Sequence, residues 1–252
     1  MIFKVPELSD LLSRVHLHVV PVLNPDGRRV CPNTFHAQGL DTCVVYACGL
    51  KKNGDLVPYD ADSDVPLYRF DPAECLFVGG QFNGAGVAIN RRRSPNRSSA
   101  VEVAQLLDYV LPRRIEGVID LHACGYNFAF QVRSHEAPYW PVMREWQRRA
   151  EILFEGKGRP LKPLHGDGDP PSPPPFHFNS SLFHRHGKLM WMAFEGRQGF
   201  LGRSSFMPLP TEYEIVDDYL AAVCVFAGLG CEGLVAEANR AVFADRCFRA
   251  DD

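Results

Sequence analysis

The chain predicts an α/β fold, and three features carry that prediction. Val118-Ile119-Asp120-Leu121 and Lys188-Leu189-Met190-Trp191-Met192-Ala193-Phe194 are short apolar runs of the kind a buried strand shows. Amphipathic stretches at helical spacing lie around and between them. Both runs stop at a reactive side chain, His122 and Glu195, followed by small residues that let the backbone turn away. Ligands of open α/β sheets sit beyond the carboxyl ends of strands, so both side chains are candidates for chemistry.

The bulk numbers bound the answer. The 252 residues, 46% hydrophobic and 23% charged, suit one globular domain with an ample core. A net charge of -3 creates no field that draws nucleic acid or an anionic membrane. The longest apolar run, Tyr219 to Cys231, is too short and too glycine-containing to span a bilayer, and reads as a buried helix. None of the eight cysteines forms a CxxC pair, and Cys43, Cys48 and Cys224 lie in apolar runs where a thiol packs as a small hydrophobe. Free thiols in a reducing compartment follow. The first residues lack the apolar core of a signal peptide, and a cytoplasmic protein is the expectation.

The elements are read in chain order. Pro6 to Arg14, with Leu8, Leu11 and Leu12, predicts a short amphipathic helix. Val15 to Leu23 alternates, with His16 and His18 on one face and Val15, Leu17 and Val19 on the other, and predicts a strand. It ends in Asn24-Pro25-Asp26-Gly27, a strong turn signal. From Arg28 to Gly86 glycine, proline and aspartate punctuate short apolar pieces, Thr42 to Tyr46 and Glu74 to Val78, in a long loop-rich excursion. Its aspartates lack the spacing of a calcium loop and read as solvated. Ser99-x-x-Glu102 has the form of a capping box, opening a helix with Val101, Ala104, Leu107 and Leu111 as its stripe and Pro112 at its close. Trp140 to Phe154 is a second, arginine-rich helix. Pro170 to Pro175 is a stiff surface loop. Thr211-x-x-Glu214 caps the final helix, whose core is Leu220 to Leu229.

If the strands ending at His122 and Glu195 run parallel, those two side chains converge on one edge of the sheet. Asn90 and Arg91, on a loop before the His122 strand, reach the same cleft. One imidazole, one carboxylate and one fixed cation suit metal-assisted hydrolysis of a substrate bearing a carboxylate. Zinc polarises the carbonyl and acidifies water, Glu195 takes the water's proton as general base, and Arg91 clamps the substrate carboxylate. The plain alternatives are a hydrogen-bonded core histidine at 122 and a simple turn at Asn24. The Arg91-Arg92-Arg93 cluster, without a basic surplus or interleaved aromatics, reads as that clamp with solvated neighbours and not as an RNA site.

Four motifs in order, Pro21-Val22-Leu23-Asn24-Pro25-Asp26-Gly27, Gly86-Val87-Ala88-Ile89-Asn90-Arg91, Ile119-Asp120-Leu121-His122 and Phe194-Glu195-Gly196-Arg197, resemble the signature of the zinc carboxypeptidase A-like metallopeptidases. The resemblance runs from about Val15 to the C-terminal helix. It implies a mixed, mostly parallel eight-stranded sheet flanked by helices on both faces, in a single domain spanning 1–252. By resemblance His122 is the last of three zinc ligands and Glu195 the catalytic glutamate. Asn90 and Arg91 then bind the free carboxylate of a peptide or small amide substrate.

The departures are as specific. None of the nine histidines has glutamate three residues later, so the HxxE pair that supplies the family's first two ligands has no counterpart, and the domain reads as N-terminally truncated. Ala88 replaces the family's aspartate before Asn-Arg. No tyrosine lies between Tyr139 and Tyr213, where the substrate-covering loop needs one; His177 or Phe178 stands there. Arg69 is the one candidate for the transition-state arginine. His16 with His18, or His184 with His186, are the pairs available as substitute ligands, each pair on one face if extended. Ser180 and Ser181 fall where the specificity pocket is lined, with no acidic residue beside them. Three readings follow: a zinc-dependent carboxypeptidase-like hydrolase whose HxxE lies upstream, an inactive relative that grips peptide C-termini through Asn90 and Arg91, or an inert fragment with exposed strand edges.

Overall fold

A computed structural model describes residues 6–30, 48–57, 71–89, 100–123, 128–131, 137–164, 183–184, 186–196 and 211–244. Helix α1 (Pro6–Arg14) forms over the predicted span, its last turn tied by an Arg14–Asp10 pair at 3.1 Å. The strand expected over Val15 to Leu23 does not form. Residues 15–20 have no regular secondary structure, and Leu17 and Val19 are 47% and 69% exposed. Alternation makes a strand only where a neighbour offers a ladder of hydrogen bonds. Among the described residues no strand pairs with this segment.

The turn at Asn24 is the opening of a helix, α2 (Pro25–Val30), and not a simple reversal. Proline suits the first helical position because its missing N–H is one the helix leaves unpaired. Asn24 closes the end: its Oδ1 accepts from the Gly27 N–H at 3.0 Å and its carbonyl from the Arg28 N–H at 2.9 Å.

Within the loop-rich stretch, β1 (Gly49–Lys51) and β2 (Cys75–Val78) pair antiparallel. The second matches the apolar piece at Glu74 to Val78; Thr42 to Tyr46 lies outside the described residues. Val57, Cys75, Phe82 and Ala88 make a small separate core here.

Helix α3 (Val101–Val110) starts one residue later than the expected box implies. Ala100 is its N-cap and makes no side-chain cap bond, while Glu102 accepts from Asn83 Nδ2 at 3.1 Å. The buried stripe is Val103, Leu107 and Val110; Val101 and Leu111 are exposed. Ser99 lies outside the described residues.

A three-stranded sheet carries the core, in the order β3 (Gly117–Ala123), β5 (Met190–Gly196), β4 (Phe128–Gln131). β3 runs parallel to β5 and β4 antiparallel to it. The central strand is buried throughout Met190 to Phe194, which is why its sequence shows a continuous apolar run instead of alternation. Met190, Met192 and Phe194, with Ile119, join the core formed by α4 (Tyr139–Gly156), α5 (Glu212–Cys231) and α6 (Leu234–Phe243). Trp191, with Val118, joins Val103, Leu107 and Val110 of α3. The chain is therefore a mixed α/β protein with small sheets, one of them containing a parallel pair, and with helices against both faces of that sheet.

Helix α5 carries the predicted capping box, with Thr211 and Glu214 each bonded to the other's backbone N–H. It is not the last helix. The chain turns at Gly233 into α6, bent 70° from α5, and buries Val235, Ala238 and Val242. No single helix among the described residues is long and apolar enough to cross a membrane. Cys48, Cys75, Cys224 and Cys231 are free thiols, and burial pushes the first three above the ordinary thiol value.

Candidate functional site

The parallel pairing of β3 and β5 sets Leu121 beside Phe194, His122 beside Glu195 and Ala123 beside Gly196. Two strands that end together at the same edge thus deliver an imidazole and a carboxylate to one place. The His122 Nδ1 lies 3.8 Å from Glu195 Oε1. Glu195 is the more enclosed, with 13% of its side chain exposed against 40% for His122.

The other ring nitrogen is committed. Asp120 stands two residues before His122, and strand periodicity puts both on one face. His122 Nε2 donates to Asp120 Oδ2 at 2.9 Å. Partial desolvation pulls the His122 pKa down, but the carboxylates of Asp120 and Glu195 outweigh it and lift it to about 9. At neutral pH the ring is an imidazolium with a carboxylate opposite each nitrogen.

Helix α5 holds the backbone of this corner. Tyr219 O–H donates to the His122 carbonyl at 2.7 Å, and its ring meets Phe194 edge-on with centroids 6.0 Å apart. Glycine at 196 is a packing requirement, since a Cβ there would stand 2.9 Å from the Tyr219 ring and hydroxyl. Asp120 stands inside the third motif with no role assigned to it, and Tyr219 lies outside all four. Asp120 had a signal, its i, i+2 placement on a short strand; Tyr219 had none, because its reach across to β3 depends on how α5 packs.

Asn90 and Arg91 lie outside the described residues, as do Arg69, His177, Phe178, Ser180 and Ser181. The segment that leads to Asn90 is described. Phe82 and Ala88 bridge a tight reversal, Ile89 N–H donates to the Gln81 carbonyl at 3.0 Å, and Asn24 Nδ2 donates to the carbonyls of Gly80 and Phe82 at 2.7 and 2.9 Å. Asp26 Oδ2 accepts from the Gly84 N–H at 2.6 Å. The Asn-Pro-Asp-Gly motif and the loop before Asn-Arg are therefore one hydrogen-bonded unit. Ala88 sits in the small apolar core with Val57, Cys75 and Phe82, where a carboxylate would be desolvated.

Of the substitute histidines, His184 and His186 do not share a face. His184 is buried, with Nδ1 3.2 Å from the Leu189 carbonyl and its ring edge-on to Tyr139, whereas His186 is exposed. The local backbone at both is helical, not extended, so i and i+2 diverge. His16 and His18 are exposed, and His18 Nδ1 lies 2.7 Å from the Tyr109 hydroxyl.

A catalytic zinc takes three protein ligands. Among the described residues no group of three or more His, Cys, Asp or Glu side chains is placed to hold a metal. His122 by itself has the donor chemistry of one such ligand. Metal-bound histidines characteristically give their second ring nitrogen to a carboxylate, as His122 gives Nε2 to Asp120. A metal at this ring would have to displace its Nδ1 proton. The chain matches no protein-family model, no curated protein and no solved structure.

Proposed function

We propose that this chain is a hydrolase domain of the zinc carboxypeptidase type, cleaving the bond next to a free carboxylate in a peptide or small amide. The observation that supports it is the register of β3 and β5, which puts the His122 and Glu195 side chains 3.8 Å apart at one strand edge. The reading assigns Glu195 as general base and His122 as a zinc ligand, with Asn90 and Arg91 on the substrate carboxylate, and it takes the full eight-stranded sheet of that family as the parent fold. Glu195, mostly enclosed yet open to the edge, takes a proton from water and delivers it to the departing amine nitrogen. Asn90 donates to one carboxylate oxygen, and Arg91 pairs with both. Zinc, when bound, supplies a Lewis acid for the scissile carbonyl and its water. His122 is one ligand, and turnover needs two more.

A second reading is favoured by that shortfall and by the carboxylate opposite each nitrogen of His122. It is a relative that binds peptide C-termini through Asn90 and Arg91 without cleaving them. Zinc content and hydrolysis of an N-acyl dipeptide decide between the two. Under the first, this chain by itself holds little zinc; with the two further ligands supplied it holds about one zinc per chain, and Glu195→Gln then loses about 10²- to 10⁴-fold in kcat. Under the second there is no turnover, but the dipeptide binds, its C-terminal amide does not, and Arg91→Ala abolishes binding. Neither turnover nor carboxylate-dependent binding would retire both.

A further inference from the structure

We propose that Asp120 is a positioning residue that fixes which edge of the His122 ring faces Glu195. The inference deepens the reading above and rests on it for its catalytic meaning, while its structural content stands on Asp120, His122 and Tyr219 alone.

An imidazole on a strand end has two orientations related by a half-turn about its outer bond. In the one observed, Nε2 faces Asp120 at 2.9 Å and Nδ1 faces Glu195 at 3.8 Å. The half-turn would set Cε1 against Asp120 and Cδ2 against Glu195, forfeiting a charge-assisted hydrogen bond and turning both nitrogens away from the carboxylates. The longer Glu195 approach is no hydrogen bond, so it cannot by itself choose between the two orientations. Asp120 makes the choice. Its reach is short because it is on the same strand and the same face, with no loop between it and the ring it holds. The main chain beneath the ring is held separately, by the Tyr219 hydroxyl on the His122 carbonyl at 2.7 Å. One residue sets the ring and another sets the backbone, so Nδ1 is the nitrogen offered toward Glu195, whether to a proton or to a metal.

The test uses the full chain, free of metal and labelled with ¹⁵N. Ring nitrogen–proton spectra are assigned to His122 by their loss in His122→Gln. In the unmodified chain the Nε2–H signal is expected downfield and slow to exchange. Asp120→Ala should abolish it, while the backbone spectrum away from the sheet edge stays in place. Asp120→Asn, nearly identical in shape, should move it upfield without abolishing it, and serves alone if the alanine variant fails to fold. His122 ring signals unchanged in Asp120→Asn or Asp120→Ala would overturn the proposal. A parallel Zn²⁺ titration separates it from the hydrolase reading. Asp120→Ala should weaken zinc about 10- to 100-fold, and His122→Ala should abolish binding. Equal zinc binding by His122→Ala and the unmodified chain sinks the zinc-ligand role and leaves the ring spectra to decide on Asp120.

Discussion

Gly27 shows how far a single residue's identity depends on contacts distant in sequence. A Cβ at this position would stand 2.4 Å from both the Gly80 carbonyl and Asn24 Nδ2. Neither can yield, because Asn24 Nδ2 is bonded to Gly80 and Phe82 and the loop is held again by Asp26 at Gly84. Gly27→Ala should therefore force the loop away, at a cost of about 1–3 kcal/mol, read as a lower urea midpoint. A midpoint equal to that of the unmodified chain would mean the 80–84 loop does not sit against α2. The motif was legible as a turn because proline and glycine punctuate backbones in known ways. Its grip on residues 80–84 was not, because hydrogen bonds spanning more than fifty residues leave no local pattern.

At the scale of elements, a capping box can be followed from spacing to geometry. Thr211-x-x-Glu214 closes a capping box at α5, Glu214 Oε2 accepting from the Thr211 N–H at 2.7 Å and Thr211 Oγ1 accepting from the Glu214 N–H at 3.2 Å. At the opening of α3, Glu102 accepts from Asn83 and Ala100 is the N-cap, while Ser99 lies outside the described residues. Thr211→Ala should cost about 1 kcal/mol, and Thr211→Ser should restore most of it. Thermal unfolding of the two variants checks this, and equal midpoints for both would show that the cap is idle. Tertiary contact sets the stripe of α3 at Val103, Leu107 and Val110, which pack with Trp191 and Leu189.

In the whole molecule, ion pairs join helices that the apolar core already packs. Arg149 of α4 bonds Glu145 within its own helix and both carboxylate oxygens of Glu232 at the end of α5. Arg159, buried just past α4, pairs with Asp217 and with Asp218 of α5. Hydrogen bonds from Arg148 and Arg149 hold Glu145 down at about 2, and Arg149 holds Glu232 below the ordinary carboxylate range. Burial pushes Asp217 up, but Lys157 and Arg159 outweigh it and keep it below its ordinary value. A lowered folded-state pKa stabilises the fold above the ordinary carboxylate value, and that contribution is lost as pH falls through the folded one. Between about pH 4.5 and pH 2 the thermal midpoint should fall, and Glu145→Gln should flatten that fall and meet the unmodified chain near pH 2. Parallel curves for the two proteins would show that Glu145 carries no acid-labile stability.

By itself the sequence determined the elements whose cause is local. Pro6 to Arg14, the strands that end at His122 and Glu195, the helix over Trp140 to Phe154 and the box at Thr211 were all readable, because burial on two faces, helical spacing and capping chemistry are written in consecutive residues. Tertiary structure alone decided the rest. It denied Val15 to Leu23 a ladder, set β3 parallel to β5 in the register that brings His122 to Glu195, and carried Tyr219 across to hold the His122 carbonyl. Pairing and packing choose among partners far apart in the chain, and no single segment carries enough information to name them.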